Sequence, residues 1–171
     1  MTIYFGDGSS QSAAGLAGAG KVLQVVTTYS NSIWSTTSTS FTDTGFHCAI
    51  TPSSSSSKVL VMLSAAGGAP SSGYAALYRG STIISAGTAN QPGLSGGYSG
   101  GGGGSGCHWG KYYVDRCTCC YLDSPGVASS TTYKLYWKAD SGTIYLNRCS
   151  YDSESYQIRS GSSFTLMEVS G

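Results

Sequence analysis

Short runs of β-branched and aromatic residues recur along the whole chain, separated by clusters of glycine, proline or serine. Almost every window long enough for a helix contains Gly, Pro or hydroxyl clusters, which disfavour helix interiors. Runs bounded by turn residues are typical of β-sandwiches and barrels. We therefore predict strands at 21–28, 40–43, 45–51, 58–66, 74–79, 82–86, 111–123, 131–139, 143–148 and 163–169.

The length of 171 residues corresponds to one domain. We predict an all-β fold, an antiparallel β-sandwich of jelly-roll type, in which residues 21–171 form a single domain. Residues 93–106 contain nine glycines in fourteen positions and are predicted to form a Gly-rich loop, since they bury little apolar area.

The segment 1–20 is predicted to be an extended N-terminal arm, because its small residues offer little core of their own. Its apolar residues Ile3, Tyr4 and Phe5 are candidate anchors on a neighbouring molecule, since such arms gain order on binding. The alternative is an arm folded back on its own sandwich.

One run is apolar on both faces of any strand: Val59, Leu60, Val61, Met62 and Leu63. Such a strand is expected in the middle of a sheet with material covering each side. The cover comes either from the N-terminal segment or from a second copy, and a second copy means an oligomer. We predict that these five residues contribute to a subunit contact.

The charge balance excludes two classes of partner. Nine Lys and Arg against eight Asp and Glu give a net charge of +1, which lacks the basic footprint of a nucleic-acid-binding domain. No apolar stretch reaches the roughly 18 to 20 residues of a membrane span. We expect neither nucleic acid nor a membrane as a partner.

Five cysteines are candidates for disulfide formation: Cys107, Cys117, Cys119, Cys120 and Cys149. On a strand, Cys117 and Cys119 point to one face and Cys120 to the other, so the spacing is wrong for a zinc ribbon. A metal site using Cys107, His108 and one strand thiol stays open, but we predict no metal and no cofactor. The sixth thiol, Cys48, alternates with its apolar neighbours and is predicted to be a small buried hydrophobe.

The residues do not favour an enzyme. His47 and His108 are the two histidines, and neither lies in a strained nucleophile elbow. The acids considered for glycoside cleavage lie largely in or beside predicted turns, where solvated carboxylates are common. These acids are Asp115, Asp123, Asp140, Asp152, Glu154 and Glu168. We predict no catalytic residue.

Aromatic residues near loop ends could stack on sugar rings. Candidates for glycan contact are Tyr98, Trp109, Tyr151 and Tyr156, and Trp34 has a similar position. The alternative, packing within the core or against a subunit, is favoured because Tyr and Trp are strand formers and interface residues.

Many short motifs follow one another in a characteristic order. They are IYFGDGSSQ at 3–11, KVLQVV at 21–26, TSFTDTG at 39–45, ITPSS at 50–54, SKVLV at 57–61, YLDSP at 121–125, TTYK at 131–134 with Trp137, TIYLNR at 143–148 and LMEV at 166–169. This series resembles the short β-domains of virion proteins in tailed bacteriophages, particularly cyanophages. The Gly-rich loop and the cysteines around Cys117 depart from that family.

The resemblance implies a structural protein of the virion rather than an enzyme. An arm of twenty residues reaches only about 60 to 70 Å, too short for a fibre shaft but long enough to grip a neighbour. We therefore expect a homotrimeric capsid decoration, or cement, protein that is assembled in the host bacterial cytoplasm. It would bind the major capsid protein on the outer capsid surface. The alternative is a tail-fibre tip or small tail appendage that binds a host surface glycan.

Overall fold

The computed structural model describes residues 20–70, 73–84, 113–151 and 159–171, together with the backbone at 2–4 and 10–12. Over these residues the chain is all-β, as predicted, with antiparallel sheets. The strands are β1 Thr2–Tyr4, β2 Ser10–Ser12, β3 Val22–Ser30, β4 Trp34–Thr36, β5 Thr42–Ile50, β6 Lys58–Gly68, β7 Gly73–Arg79, β8 Thr82–Ile83, β9 Asp115–Asp123, β10 Thr131–Ala139, β11 Ile144–Leu146 and β12 Ser162–Val169. Within the same residues, no helix has the length and hydrophobicity needed to cross a membrane.

The strands form two larger sheets and one hairpin. The small sheet has the order β5-β10-β7-β8, and the large sheet has the order β3-β12-β6-β11-β4. The long strand β6 pairs with β12 and β11 along one edge and with β9 along the other. Strands β1 and β2 pair with each other in a separate two-stranded sheet.

One hydrophobic core lies between the two larger sheets. Phe46 of the small sheet and Phe164 of the large sheet meet with ring centroids 5.2 Å apart. On β10, Tyr133, Leu135 and Trp137 are buried while the intervening residues are partly exposed. Cys48 is buried in this core, as its alternation predicted.

Strand β5 differs from the sequence prediction, because a strand boundary that was predicted near residue 44 does not exist. The sequence predicted separate strands at 40–43 and 45–51, but Thr42–Ile50 is continuous. Gly45 has a φ of +80°, and the register with β10 shifts between Lys134 and Tyr136. A β-bulge at Gly45 therefore continues the strand at a position where the sequence predicted a break.

The predicted arm includes some local structure of its own. Within 1–20, strands β1 and β2 form an antiparallel hairpin in which Ile3 lies opposite Gln11 and Tyr4 opposite Ser10. The side chains of Ile3 and Tyr4, all of Phe5 and the Gly-rich segment 93–106 lie outside the described residues.

Candidate functional site

The outward side of the large sheet carries a row of apolar side chains that crosses four strands. Met167 of β12 lies opposite Val25 of β3 and Leu60 of β6, and Leu60 lies opposite Leu122 of β9. Opposed residues of an antiparallel pair project to the same side of the sheet. We define the apolar face by this row and two neighbours: Val25, Leu60, Met62, Leu122, Met167 and Val169.

Exposure separates the two sides of β6. The inward residues Val59, Val61 and Leu63 are 0%, 0% and 2% exposed, whereas Leu60 and Met62 are only partly buried. At the flanks of the apolar face the exposed fraction rises to 52% for Val25 and 48% for Leu122. Of the five residues that the sequence predicted to need cover on both sides, Leu60 and Met62 therefore remain partly exposed, whereas the other three lie in the core.

A shallow groove of about 290 Å³ lies at the Met62 end of the apolar face. Its walls combine apolar and hydroxyl side chains from β6, β9 and β12, including Met62, Ser64, Cys120 and Thr165. An open groove of this kind suits a protruding side chain of another protein better than an enclosed small ligand, because ligand sites bury most of the ligand surface.

The cysteines near this groove differ in state. Cys117 is disulfide-bonded. Cys119, Cys120 and Cys149 are free thiols. Burial, together with the neighbouring Cys120, raises the pKa of Cys119 to about 11, so its thiol stays protonated and poorly nucleophilic at neutral pH.

Charges on the outward side of these four strands have one sign. The outward positions include Lys58 at one end and Arg116 at the other, whereas Asp115, Asp123 and Glu168 occupy inward positions. Arg116 donates hydrogen bonds to Ser64 Oγ at 3.0 Å and Ser160 Oγ at 2.8 Å. The apolar face therefore lies between two cations.

The outward side of the small sheet has a different chemistry, and we call it the tyrosine face. Tyr78 of β7 stacks on Tyr136 of β10 with ring centroids 3.9 Å apart and an interplanar angle of 18°. Lys138 Nζ lies 4.9 Å from the ring centroid of Tyr74 and 5.2 Å from that of Phe41. These groups interact with one another across neighbouring strands, through ring stacking and through cation–π contacts.

Asp43 organises the polar end of the tyrosine face. Its Oδ1 lies 2.5 Å from His47 Nε2, and its Oδ2 accepts a hydrogen bond from Lys134 Nζ at 3.1 Å. Partial burial alone raises the pKa of Asp43, but the hydrogen bonds from His47, Gly45 and Lys134 outweigh it and lower that pKa. The bulge at Gly45 makes this cluster, because it places Asp43 beside two side chains that the straight register would separate.

Asp123 is a buried link between the sheets rather than a solvated acid. Arg79 Nη1 donates to both its carboxylate oxygens at 2.8 Å, and the Tyr133 hydroxyl donates to Oδ2 at 2.7 Å. Burial and the hydrogen bond to Asp123 raise the pKa of Tyr133. This carboxylate neutralises a cation and satisfies a buried hydroxyl, which is a structural role.

Glu168 is likewise buried, at 1% exposure, and holds the loop that joins β5 and β6. Its carboxylate accepts hydrogen bonds from Ser53 N at 2.7 Å, Ser53 Oγ at 2.6 Å and Gln24 Nε2 at 2.6 Å. Burial by itself raises the pKa of Glu168, but the hydrogen bonds from Ser53, Gln24 and Ser57 dominate and lower it to about 2.

The other sites predicted from the sequence fall largely outside the described residues. Tyr151 is exposed and follows β11, whereas Tyr98, Cys107, Trp109 and Tyr156 lie outside the described residues. His108, Asp152 and Glu154 lie outside them as well. Among the residues that the structure describes, no group of three or more His, Cys, Asp or Glu side chains converges in a way that would hold a metal ion.

Sequence reasoning found Leu60 and Met62 but missed their partners Val25, Leu122 and Met167. Each of these residues lies in a run with strand propensity, and nothing in a single run indicates which strand lies beside it. The alternation of 163–169 was available as a signal, since it separates Met167 from the buried Leu166 and Glu168.

No protein-family model matches the chain, and no curated protein matches it.

Proposed function

We propose that this chain is a structural protein of a bacteriophage virion, a capsid decoration protein with a jelly-roll sandwich and an N-terminal arm. In this proposal it forms a homotrimer on the outer capsid surface and binds the major capsid protein. Two observations support the proposal: the order of motifs in the sequence and the apolar face of the large sheet. A regular sheet surface with a Val at 52% and a Leu at 48% exposure favours contact with another polypeptide.

The proposed mechanism is stabilisation by mass action. A protein that binds the assembled shell, and not its dissociated subunits, stabilises the shell in proportion to its binding free energy. Three copies joined in one trimer multiply the avidity of each individual contact. Predominantly apolar contacts would keep such an attachment largely insensitive to salt, because screening weakens mainly charge interactions.

Two measurements test this proposal together. Light scattering of the purified full chain should give the mass of a trimer. Addition of the chain to capsid shells that lack it should raise the temperature at which the shells disrupt. A monomer that leaves that temperature unchanged would contradict the decoration function.

A second candidate, binding of a host surface glycan by a tail appendage, is favoured by the tyrosine face. Next to this face, residues including Arg79, Ser130, Thr132 and Lys134 line an open cleft of about 420 Å³. Stacked aromatic rings beside hydroxyl and cationic donors are the groups that recognise sugar rings and their substituents. Tyr78 and Tyr136 carry this candidate, and the glycan contacts predicted at Tyr98, Trp109, Tyr151 and Tyr156 stay predictions.

Binding of the full chain to glycans prepared from host envelopes tests the second candidate. Tyr136→Ala should abolish binding that depends on the tyrosine face, whereas Leu122→Ala on the opposite sheet should leave it unchanged. Equal binding by wild type and Tyr136→Ala would exclude this face as the glycan site.

A further inference from the structure

The apolar face has a size and a charge pattern that together describe its partner. We infer that it docks on a different polypeptide, a protein surface with an apolar strip bordered at both ends by carboxylates, and not on the same face of a second copy of this chain. The inference rests on the proposed assembly function and specifies which contact the apolar face makes.

The first argument is area. Four strands spaced about 4.8 Å apart and about eight residues long, from the level of Lys58 to that of Arg116, have an outward surface of about 19 by 27 Å, or about 500 Å². The apolar face occupies the part of this surface nearer Lys58. Covering the whole surface would remove about 1,000 Å² of total area from water, near the lower bound for a specific protein interface, so it is large enough for a protein partner.

The second argument is charge complementarity. Lys58 and Arg116 lie at outward positions near opposite ends of the face, while the acids of the same four strands occupy inward positions. A partner with Asp or Glu at both ends of its strip would pair with both cations. From Lys58 to the level of Ala66, which lies opposite Arg116, the distance along β6 is about 27 Å, so the partner's carboxylates should have a similar spacing.

The same charges oppose a symmetric pair of copies. A two-fold axis between stacked faces brings together either equivalent ends or opposite ends of the strands. Equivalent ends would place Lys58 against Lys58 of the other copy, and opposite ends would place Lys58 against Arg116. Both arrangements set cations against cations, and like charges across an interface are unfavourable.

The inference is tested with capsid shells assembled from the major capsid protein alone as the probe, and with the full chain. Leu122→Asp should weaken shell binding by at least about tenfold, because it places a charge within the apolar contact. Ile33→Asp is the matched control, since Ile33 is similarly exposed, at 45%, but lies in the loop between β3 and β4. Both variants should retain the oligomeric mass of the wild type.

A less disruptive variant, which removes one charge at the end of the face, tests the inference if Leu122→Asp fails to fold. Lys58→Gln should weaken shell binding by about threefold to tenfold at low salt and reduce its salt dependence, as loss of a charge at the rim of an interface does. Ser141→Asp, in the exposed turn after β10, lowers the net charge by the same amount and should have no effect.

The outcomes separate the two proposals. Loss of shell binding with an unchanged oligomer supports a different polypeptide on the apolar face. Conversion of the oligomer to monomers by Leu122→Asp, but not by Ile33→Asp, overturns the inference, because the face would then join copies of this chain, and leaves the decoration function standing. A wild-type chain that neither oligomerises nor binds shells removes the decoration function itself.

Discussion

The outward faces of the two sheets differ in the kind of side chain that they expose to water. On the tyrosine face, Asp43 pairs with His47 and Lys134, and Tyr78 stacks on Tyr136. On the apolar face, the row from Val25 to Leu122 has aliphatic and thioether side chains whose exposed area has no polar group to offer to water. Two sheets that share one core thus present surfaces of different chemical character.

The difference shows where each sheet obtains its stability. Groups on the tyrosine face interact with one another, so that face is complete in the single chain. Apolar side chains gain free energy only when they leave water, at about 25 cal/mol per Å². Covering the apolar face with a partner would therefore contribute favourable binding free energy. Substitutions on the two faces should accordingly differ in their effect on the stability of the isolated chain.

The largest effect is expected within β6, where Leu63→Ala should lower the free energy of unfolding by about 2 to 5 kcal/mol through a cavity in the core. Met62→Ala, one residue away on the apolar face, should cost about 1 kcal/mol or less because its side chain is already partly exposed. Urea denaturation of both variants measures the contrast. Equal losses would mean that the apolar face is part of the core.

The next effect concerns Glu168, the buried acid on the inward side of the large sheet. Glu168→Gln should cost about 1 to 3 kcal/mol at neutral pH, because it weakens the hydrogen bonds that hold Ser53 and Gln24. The folded-state pKa, about 2, lies below the ordinary value of 4.5, so this stabilisation is present above pH 4.5 and is lost as the pH falls toward 2. Denaturation from pH 6 down to about 2 should show a steeper loss for wild type than for the variant.

A smaller effect on stability should distinguish a tyrosine on the outward side of the small sheet from one on the outward side of the large sheet. Tyr136→Leu should cost about 0.5 to 1.5 kcal/mol, because it removes the stack with Tyr78 while keeping an apolar side chain. Tyr29→Leu, at a position that is 68% exposed on the outward side of β3, should change stability by about 0.5 kcal/mol or less. Thermal melts of the pair would contradict the comparison if Tyr29→Leu had the larger effect.

The smallest effect is expected at Asp43. Asp43→Asn should cost about 0.2 to 1 kcal/mol at low salt and less at high salt, as for other partly exposed ion pairs. Since its partners lower the pKa of Asp43, the contribution is present at neutral pH and disappears as the pH falls below the ordinary aspartate range. Urea titrations at two salt concentrations test this, and a salt-independent loss would assign Asp43 a packing role instead.

Much of the fold was predictable where a run alternates strongly. The strand at 131–139 was predicted with the bounds it has, and the spacing of Tyr133, Leu135 and Trp137 places these three residues on one side of it. Strand β4 was missed, since three residues carry too little periodicity to distinguish a strand from a loop. The bulge at Gly45 was read as a boundary, because a glycine between polar residues has the same signature in a turn and in a bulge.

The functional surface was predicted only in part. The run from Val59 to Leu63 indicated correctly that one strand is apolar on both sides, and a single run carries that information. Its neighbours on the apolar face come from positions as distant as Val25 and Met167, and their alignment depends on strand order and register.

The sequence by itself determined the all-β class, the alternation of the central strands and the surplus of apolar side chains, because propensity and period are local properties of a chain. Tertiary structure alone decided that Asp123 and Glu168 would be buried and hydrogen-bonded rather than solvated. It also decided that one sheet would face outward with tyrosines and ion pairs and the other with aliphatic residues. Those outcomes depend on contacts between residues far apart in the chain, and such contacts exist only once the sheets have paired and packed.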